Sequence, residues 1–275
     1  MSAKRQLKKP DLPGFFARHP AFTLFQLSEA LGGSHRKAAA RERAKYHLSR
    51  GRLKAVSRGV YAVVPPGVSA SRFQPDRYLV AAAIQPNGIF SHHAALELLG
   101  FAHSDWNVCA ILTERRRPRL RLNGVELVFL QPPPVLRPES LWQIGTRRVE
   151  RLGQPLRVTG PERTLLDGFR QPRLVGGLGE LVESAAGFGA LDLELMKRLL
   201  GLYDHRMLYG AAGWFLERHQ KEFFVPPAYL SDLEKQRPRS RQYLPRGQRR
   251  GGTLVSRWNL VLPENIAGGK GVGEA

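Results

Sequence analysis

The 275-residue chain carries 43 Lys and Arg against 23 Asp and Glu, a net charge of +20, with 42% hydrophobic residues and one cysteine. That length reads as one small and one medium domain, and the apolar fraction suffices for a packed core. No apolar run reaches the roughly 18 residues of a membrane span, the basic start MSAKRQLKKPDLPG has no apolar stretch behind it, and a lone Cys109 excludes an internal disulfide and a cysteine-paired zinc site, so the expectation is a cytoplasmic protein that attracts polyanions.

Leu12–His19 predicts a short helix with Phe15 and Phe16 turned inward. Thr23 is placed to cap the next helix, whose Leu24, Leu27 and Leu31 recur at the spacing of one helical face. Gly32-Gly33 ends it and permits a tight turn. Ser34 is read as the N-cap of a third helix over Arg36–Ser49, rich in alanine and strongly helix-forming. Its thin apolar stripe is Ala40, Ala44 and Leu48. Two β-prone runs then flank Ser57-Arg58-Gly59, a hairpin signature with Gly available for a positive φ. Between His35 and Arg58 nine Lys and Arg accompany one acid, Glu42, so a solvated, salt-bridged helix has almost nothing to bridge to.

Helix, helix, Gly turn, basic helix and basic hairpin is the order of a winged helix-turn-helix, here over residues 1–64. The major groove of duplex DNA is wide enough for one such helix. The candidate DNA-binding residues are therefore His35, Arg36, Lys37, Arg41, Arg43 and Lys45 on the helix and Arg52, Lys54 and Arg58 on the hairpin. Arg36, Lys37, Arg41 and Arg43 are expected to read base edges, with His35 at the helix start and His47 further along as additional candidates. The hairpin cations are expected to hold phosphates, which position a protein without specifying sequence.

Residues 65–75 are rich in Pro, Gly and Ser and read as a linker. A mixed α/β domain is expected over 76–263, with 264–275 as a frayed tail, making the whole chain α/β in the α+β sense. Its elements begin with a helix over Arg77–Ile84 and another capped by Ser91, with Ala95, Leu98 and Leu99 buried. Strands follow at Asn107–Leu112, where Cys109 is a buried structural thiol, and at Leu120–Leu122 and Val125–Leu130 about Asn123-Gly124. Gln143–Val149 and Leu156–Val158 are further strands, and Pro161 opens a helix that buries Leu165 and Leu166. Helices are expected over Leu174–Ala186, Leu191–Tyr203 and Met207–His219, and a last strand over Thr253–Leu260. Gly176-Gly177-Leu178-Gly179 lacks the Lys-Ser/Thr of a phosphate loop and reads as a turn into a helix. Charge is balanced over 151–235, with eleven of each sign, whereas 236–257 holds seven arginines and no acid. That second patch is expected to add a salt-dependent, non-specific grip on DNA.

Four stretches in order resemble the AbiEi family of bacterial abortive-infection systems. They are Ala55-Val56-Ser57-Arg58-Gly59-Val60-Tyr61, Phe90-Ser91-His92-His93-Ala94-Ala95-Leu96-Glu97-Leu98-Leu99-Gly100, Thr159-Gly160-Pro161-Glu162-Arg163-Thr164-Leu165-Leu166-Asp167, and Tyr243-Leu244-Pro245 followed by Trp258-Asn259-Leu260. The resemblance implies a winged-helix DNA reader joined to a C-terminal antitoxin domain of a type IV toxin–antitoxin system. It also implies repression of the chain's own operon, which would encode a nucleotidyltransferase-like toxin not necessarily in direct contact with it. One helix-turn-helix reads only a short site, so a homodimer on an inverted-repeat operator is expected.

Catalytic chemistry is not expected, nor is a cofactor or a metal. His92-His93 are adjacent and point apart on a helix, so they do not form one metal site. A DNA nuclease needs clustered carboxylates for hard cations. Glu162 and Asp167 are the best-placed acids, but they fall on different helix faces, and Arg163 beside them favours an ion pair or cap. The alternatives to a DNA-binding repressor are such a metal-dependent nuclease and a basic RNA- or ribonucleoprotein-binding module. Single-strand RNA readers stack bases on exposed aromatics, and the basic helix carries only Tyr46.

Overall fold

The computed structural model describes residues 11–122, 124–245 and 251–268. It is a mixed α/β chain that divides into two compact units. One takes in residues up to Asn87 together with Arg121–Val125 and Glu150–Pro155; the other takes in the remainder.

The first unit opens with α1 (Leu12–Arg18), started by Asp11, whose side chain accepts from the Gly14 amide. Pro20 forces the residue before it out of helical geometry, so α1 stops and the chain leaves as β1 (Ala21–Thr23). Thr23 caps α2 (Leu24–Ala30) as expected: its hydroxyl accepts from the Gln26 amide while the Gln26 side chain accepts from the Thr23 amide. Gly32 and Gly33 both have φ above +100°, a conformation open to glycine. Ser34 does not cap the third helix. A 3₁₀ turn over Ser34–Arg36 intervenes, and α3 (Lys37–Ser49) begins after it with no side-chain cap. Strands β2 (Leu53–Ser57) and β3 (Val60–Val63) form the expected hairpin, with a bulge between Ala55 and Ser57. β1 pairs antiparallel with β3, giving a three-stranded sheet of order β1-β3-β2.

Phe15, Phe22, Leu27, Ala40, Ala44 and Leu53 make this unit's core. Phe22 is its centre, with the Phe15 and Phe16 rings 5.2 and 5.6 Å away. The small Ala40 and Ala44 let the α3 backbone come close to α2, and apart from His47 and Leu48 the rest of that helix is exposed. Helix α4 (Arg77–Ile84), capped by Asp76, packs on β1 and β3 within the same unit. The stretch 65–75 thus lies inside the first unit, and the contact division falls between Asn87 and Gly88.

After Asn87 come β4 (Ile89–Ser91), α5 (His93–Leu99), β5 (Val108–Leu112), β6 (Leu120–Leu122), β7 (Val125–Leu130), α6 (Glu139–Trp142), β8 (Thr146–Arg151) and β9 (Gln154–Thr159), which belong to the second unit except where Arg121–Val125 and Glu150–Pro155 count with the first. The strands form one mixed sheet of order β6-β7-β5-β4-β9-β8. β4 runs antiparallel to β5 and parallel to β9, and β5 runs parallel to β7. Asn123, half of the expected Asn-Gly turn, lies outside the described residues. Ser91 ends a strand and does not cap α5, which starts after His92, and the helix buries Leu96 in place of the expected Leu98 and Leu99.

The helices of this unit are α7 (Pro161–Arg170), α8 (Leu178–Ala186), α9 (Leu193–Tyr203), α10 (Arg206–Arg218) and α11 (Pro227–Gln236). The expected helix from Leu174 starts later, because Gly176 and Gly177 at positive φ separate a 3₁₀ turn from α8. α11 had no counterpart in the sequence reading. The expected strand Thr253–Leu260 is two strands, β11 (Thr253–Val255) and β12 (Leu260–Leu262), broken by a 3₁₀ turn and by Asn259 at φ 51°. With β10 (Gln242–Tyr243) they form a small sheet of order β10-β12-β11, followed by α12 (Glu264–Ala267).

That break inserts Trp258, fully buried, onto Gly213 of α10. A β-carbon at Gly213 would fall far inside van der Waals contact with the nearest atoms of the indole ring. The ring cannot swing aside freely, since its Nε1 donates to Glu217 Oε2 at 2.6 Å and the Arg257 guanidinium lies over its face. Gly213→Ala is therefore expected to cost about 2 kcal/mol, the overpacking penalty exceeding the roughly 1 kcal/mol gain in helix propensity. A urea titration followed by tryptophan fluorescence reads the loss directly; an unchanged midpoint would mean that Trp258 is not held in place.

Candidate nucleic-acid interface

α3 presents an exposed, cationic surface because the residues that seat it are small and few. Its buried positions are Ala40, Ala44 and His47. His35, Arg36, Lys37, Arg41, Arg43 and Lys45 are all exposed, as are Arg52 and Arg58 on the hairpin. Arg58 stands at the turn between β2 and β3, next to Gly59. The structure therefore brings eight of the nine sequence candidates to the surface of one small unit.

Lys54 is the exception. It is half-buried, and its ammonium donates to the Phe73 carbonyl, which ties the segment after the hairpin to β2. His47, the further candidate, points inward. Its ring meets Phe16 edge-on at 4.9 Å, and burial, with Arg52 and Arg43 nearby, lowers its pKa. It is a neutral core ring, and the reason is periodicity: His47 follows Ala40 and Ala44 at the spacing of one helical face.

Glu42, the acid on this surface, pairs with Lys45 at 2.9 Å, both side chains more than two-thirds exposed. Tyr46 is half exposed, with the Arg50 guanidinium over its ring.

The arginines of 236–257 behave differently. Arg237 donates to Glu234 at 2.6 Å, and Arg257 bridges Glu234, at 2.9 Å, and Glu217. Both are held in an ion-pair network around Trp258, so two of the seven arginines expected to add a grip on DNA are engaged within the protein. Arg239 and Arg241 are exposed, while Arg246, Arg249 and Arg250 lie outside the described residues.

The other concentration of polar groups is buried in the second unit. Arg163 on α7 is fully buried; its Nη1 donates to the carbonyls of Ile144 and Trp142 at 2.9 and 3.2 Å, and its Nε lies 3.6 Å from Asp167 Oδ2. Asp167 Oδ1 accepts from the Tyr203 hydroxyl at 2.6 Å, with Arg170 at 3.5 Å. Burial and the Asp167 charge drive the Tyr203 pKa up. Glu162 accepts from the Asp192 amide at 2.8 Å, so it secures the start of α9. The partner of Arg163 is thus Asp167, one helical turn on, and not its neighbour Glu162. His92, at φ 56°, is buried beside this group, its Nδ1 within 2.9 Å of the Ser91 hydroxyl. His93 lies 3.0 Å from Glu97 and 3.5 Å from Glu180. Among the described residues no cluster of three or more His, Cys, Asp or Glu is arranged to hold a metal ion. The acids considered for nuclease chemistry are thus engaged in holding α7, α9 and the β8 approach together.

No family model matches the chain, and no curated protein matches it. Among solved structures it is similar to the RV2827C protein from Mycobacterium tuberculosis, with a TM-score of 0.59 over 94% of this chain and 93% of that one, at 19% identity. At that identity the likeness concerns the fold.

Proposed function

We propose that this chain is a sequence-specific duplex-DNA-binding regulator whose first unit works as a winged helix-turn-helix and which represses by occupying its site. The observation that carries the reading is α3: a helix seated by Ala40, Ala44 and His47, with the exposed cations Lys37, Arg41, Arg43 and Lys45 around it, followed directly by a hairpin with an exposed arginine at its turn. The sheet order β1-β3-β2 supports it further, because β1 fixes the hairpin to the helical layer and so holds Arg58 at a set distance from α3. In this reading α3 enters the major groove and Arg52 and Arg58 grip the phosphates alongside. The AbiEi resemblance adds that the site is the operator of the chain's own operon, bound as a homodimer on an inverted repeat, and that the second unit serves as the antitoxin against a nucleotidyltransferase-like toxin.

Arg58→Ala is expected to weaken binding to all duplexes alike and to lower the slope of log affinity against log salt by about one unit, since one phosphate contact is removed. Titrations at several salt concentrations measure it. The deciding experiment is a gel-shift with DNA from upstream of the chain's own gene, with random duplex and single-stranded RNA as competitors, at low and physiological salt. A complex that survives random duplex at physiological salt supports the regulator; a complex lost equally to any polyanion refutes it.

A further inference from the structure

The buried stripe of α3 fixes which residue lies deepest in a groove. Glu42 is two residues from both Ala40 and Ala44, so at about 100° per residue it stands about 160° from each, on the side of the helix opposite its seat. Arg41 and Arg43 are each adjacent to one of those alanines and three residues from the other, which puts them on the two flanks. Ala38, one turn before Glu42, shares its outward line and is exposed. A helix pressed into a major groove along this line carries Arg41 and Arg43 towards the two phosphate walls and a carboxylate towards the base edges.

We infer that Glu42 is the residue of α3 that specifies sequence, accepting a hydrogen bond from the exocyclic amino group of a cytosine. The inference rests on the DNA-binding reading of this helix and names its specificity element. A carboxylate has no use against phosphate, which repels it, but it matches the N4 amino donor that cytosine presents in the major groove. Glu42 has no structural task that accounts for it. It lies beyond the first turn of α3, where an acid would favour the helix dipole. Its pair with Lys45 joins two highly exposed side chains, an interaction of little stability. On the DNA, Lys45 screens the carboxylate from the phosphates and holds it in line. Ala38, with no side chain beyond Cβ, lets the helix approach closely enough for a glutamate to reach the base edge.

The test uses the full chain and a pool of duplexes with a randomised segment, selected in parallel on the native protein, Glu42→Gln and Glu42→Ala. Affinities are then measured for the selected site, for that site with each C·G pair replaced in turn, and for a scrambled duplex. The native protein is expected to enrich a motif containing a fixed cytosine and to lose about tenfold in affinity when that pair is replaced. Both variants are expected to lose that column, to bind the selected site about tenfold more weakly, and to bind the scrambled duplex as well as or better than the native protein. Variants that keep the same fixed cytosine overturn the inference and leave the DNA-binding reading intact. Variants that gain equally on selected and scrambled duplex overturn it too, since Glu42 would then act only as a general charge brake. A native protein that enriches no motif overturns the DNA-reading function itself.

Discussion

Arg163→Ala is expected to destabilise the second unit by about 3–5 kcal/mol, the cost of breaking a buried ion pair from one side. The guanidinium is fully buried, and three partners lose it together: the Trp142 and Ile144 carbonyls and the Asp167 carboxylate. Asp167 would keep the Tyr203 hydroxyl and the partly exposed Arg170 but would lose its buried counter-charge. The two carbonyls lie just before β8, so the loss would also release the approach to that strand. All four tryptophans belong to the second unit, so denaturation followed by tryptophan fluorescence reports on this unit alone. Arg163→Met combined with Asp167→Asn should recover part of the loss, because it removes both charges instead of stranding one. A native-like midpoint for Arg163→Ala would refute this account of the cluster.

The cluster also illustrates what the linear sequence carries and what it withholds. Glu162, Arg163 and Asp167 stand together in one short segment, and a structural role for them follows from their proximity. Which acid takes the arginine depends on the i, i+4 geometry of α7 and on the Trp142 and Ile144 carbonyls delivered by the end of α6 and the approach to β8, and no local pattern contains those. The first unit was more legible. Its helices advertise themselves by apolar spacing and by the Thr23 cap, and its hairpin by two β-prone runs around Ser57-Arg58-Gly59. β1 escaped because three residues are too few for a periodicity; only Pro20, which ends α1, hinted at it.

The exposed face of α3 was half visible. Ala40 and Ala44 declare the seat, and counting from them places His47 inside and Glu42 outside. Counting charges alone obscures both points, because it scores a histidine as a candidate contact and an acid as noise. The second unit's end was hidden for a different reason: β12 pairs with β10 and β11 while Trp258, just before it, packs on Gly213, a contact between residues far apart in sequence.

His92 gives the second large effect, this time through pH. Burial lowers its pKa to about 4; Asp167 opposes that shift, and Arg170 and Arg163 reinforce it. In the unfolded chain the imidazole titrates near 6.5. Between those values the unfolded state binds a proton that the folded state refuses, so stability is full above about pH 6.5 and falls as pH drops towards 4. At about 1.4 kcal/mol per pH unit, the loss across that window is about 3 kcal/mol. His92→Asn removes the titration while retaining a residue that tolerates positive φ and can bond Ser91. Chemical denaturation from pH 7.5 to 4 should therefore show the native chain weakening more steeply than the variant, with the difference confined to this window. Parallel profiles would refute the assignment. The two effects are coupled: Arg163 helps to keep His92 neutral, so a folded Arg163→Lys chain, with its charge differently placed, should move the midpoint of the pH-dependent loss, whereas Arg58→Ala in the first unit should leave it where it is.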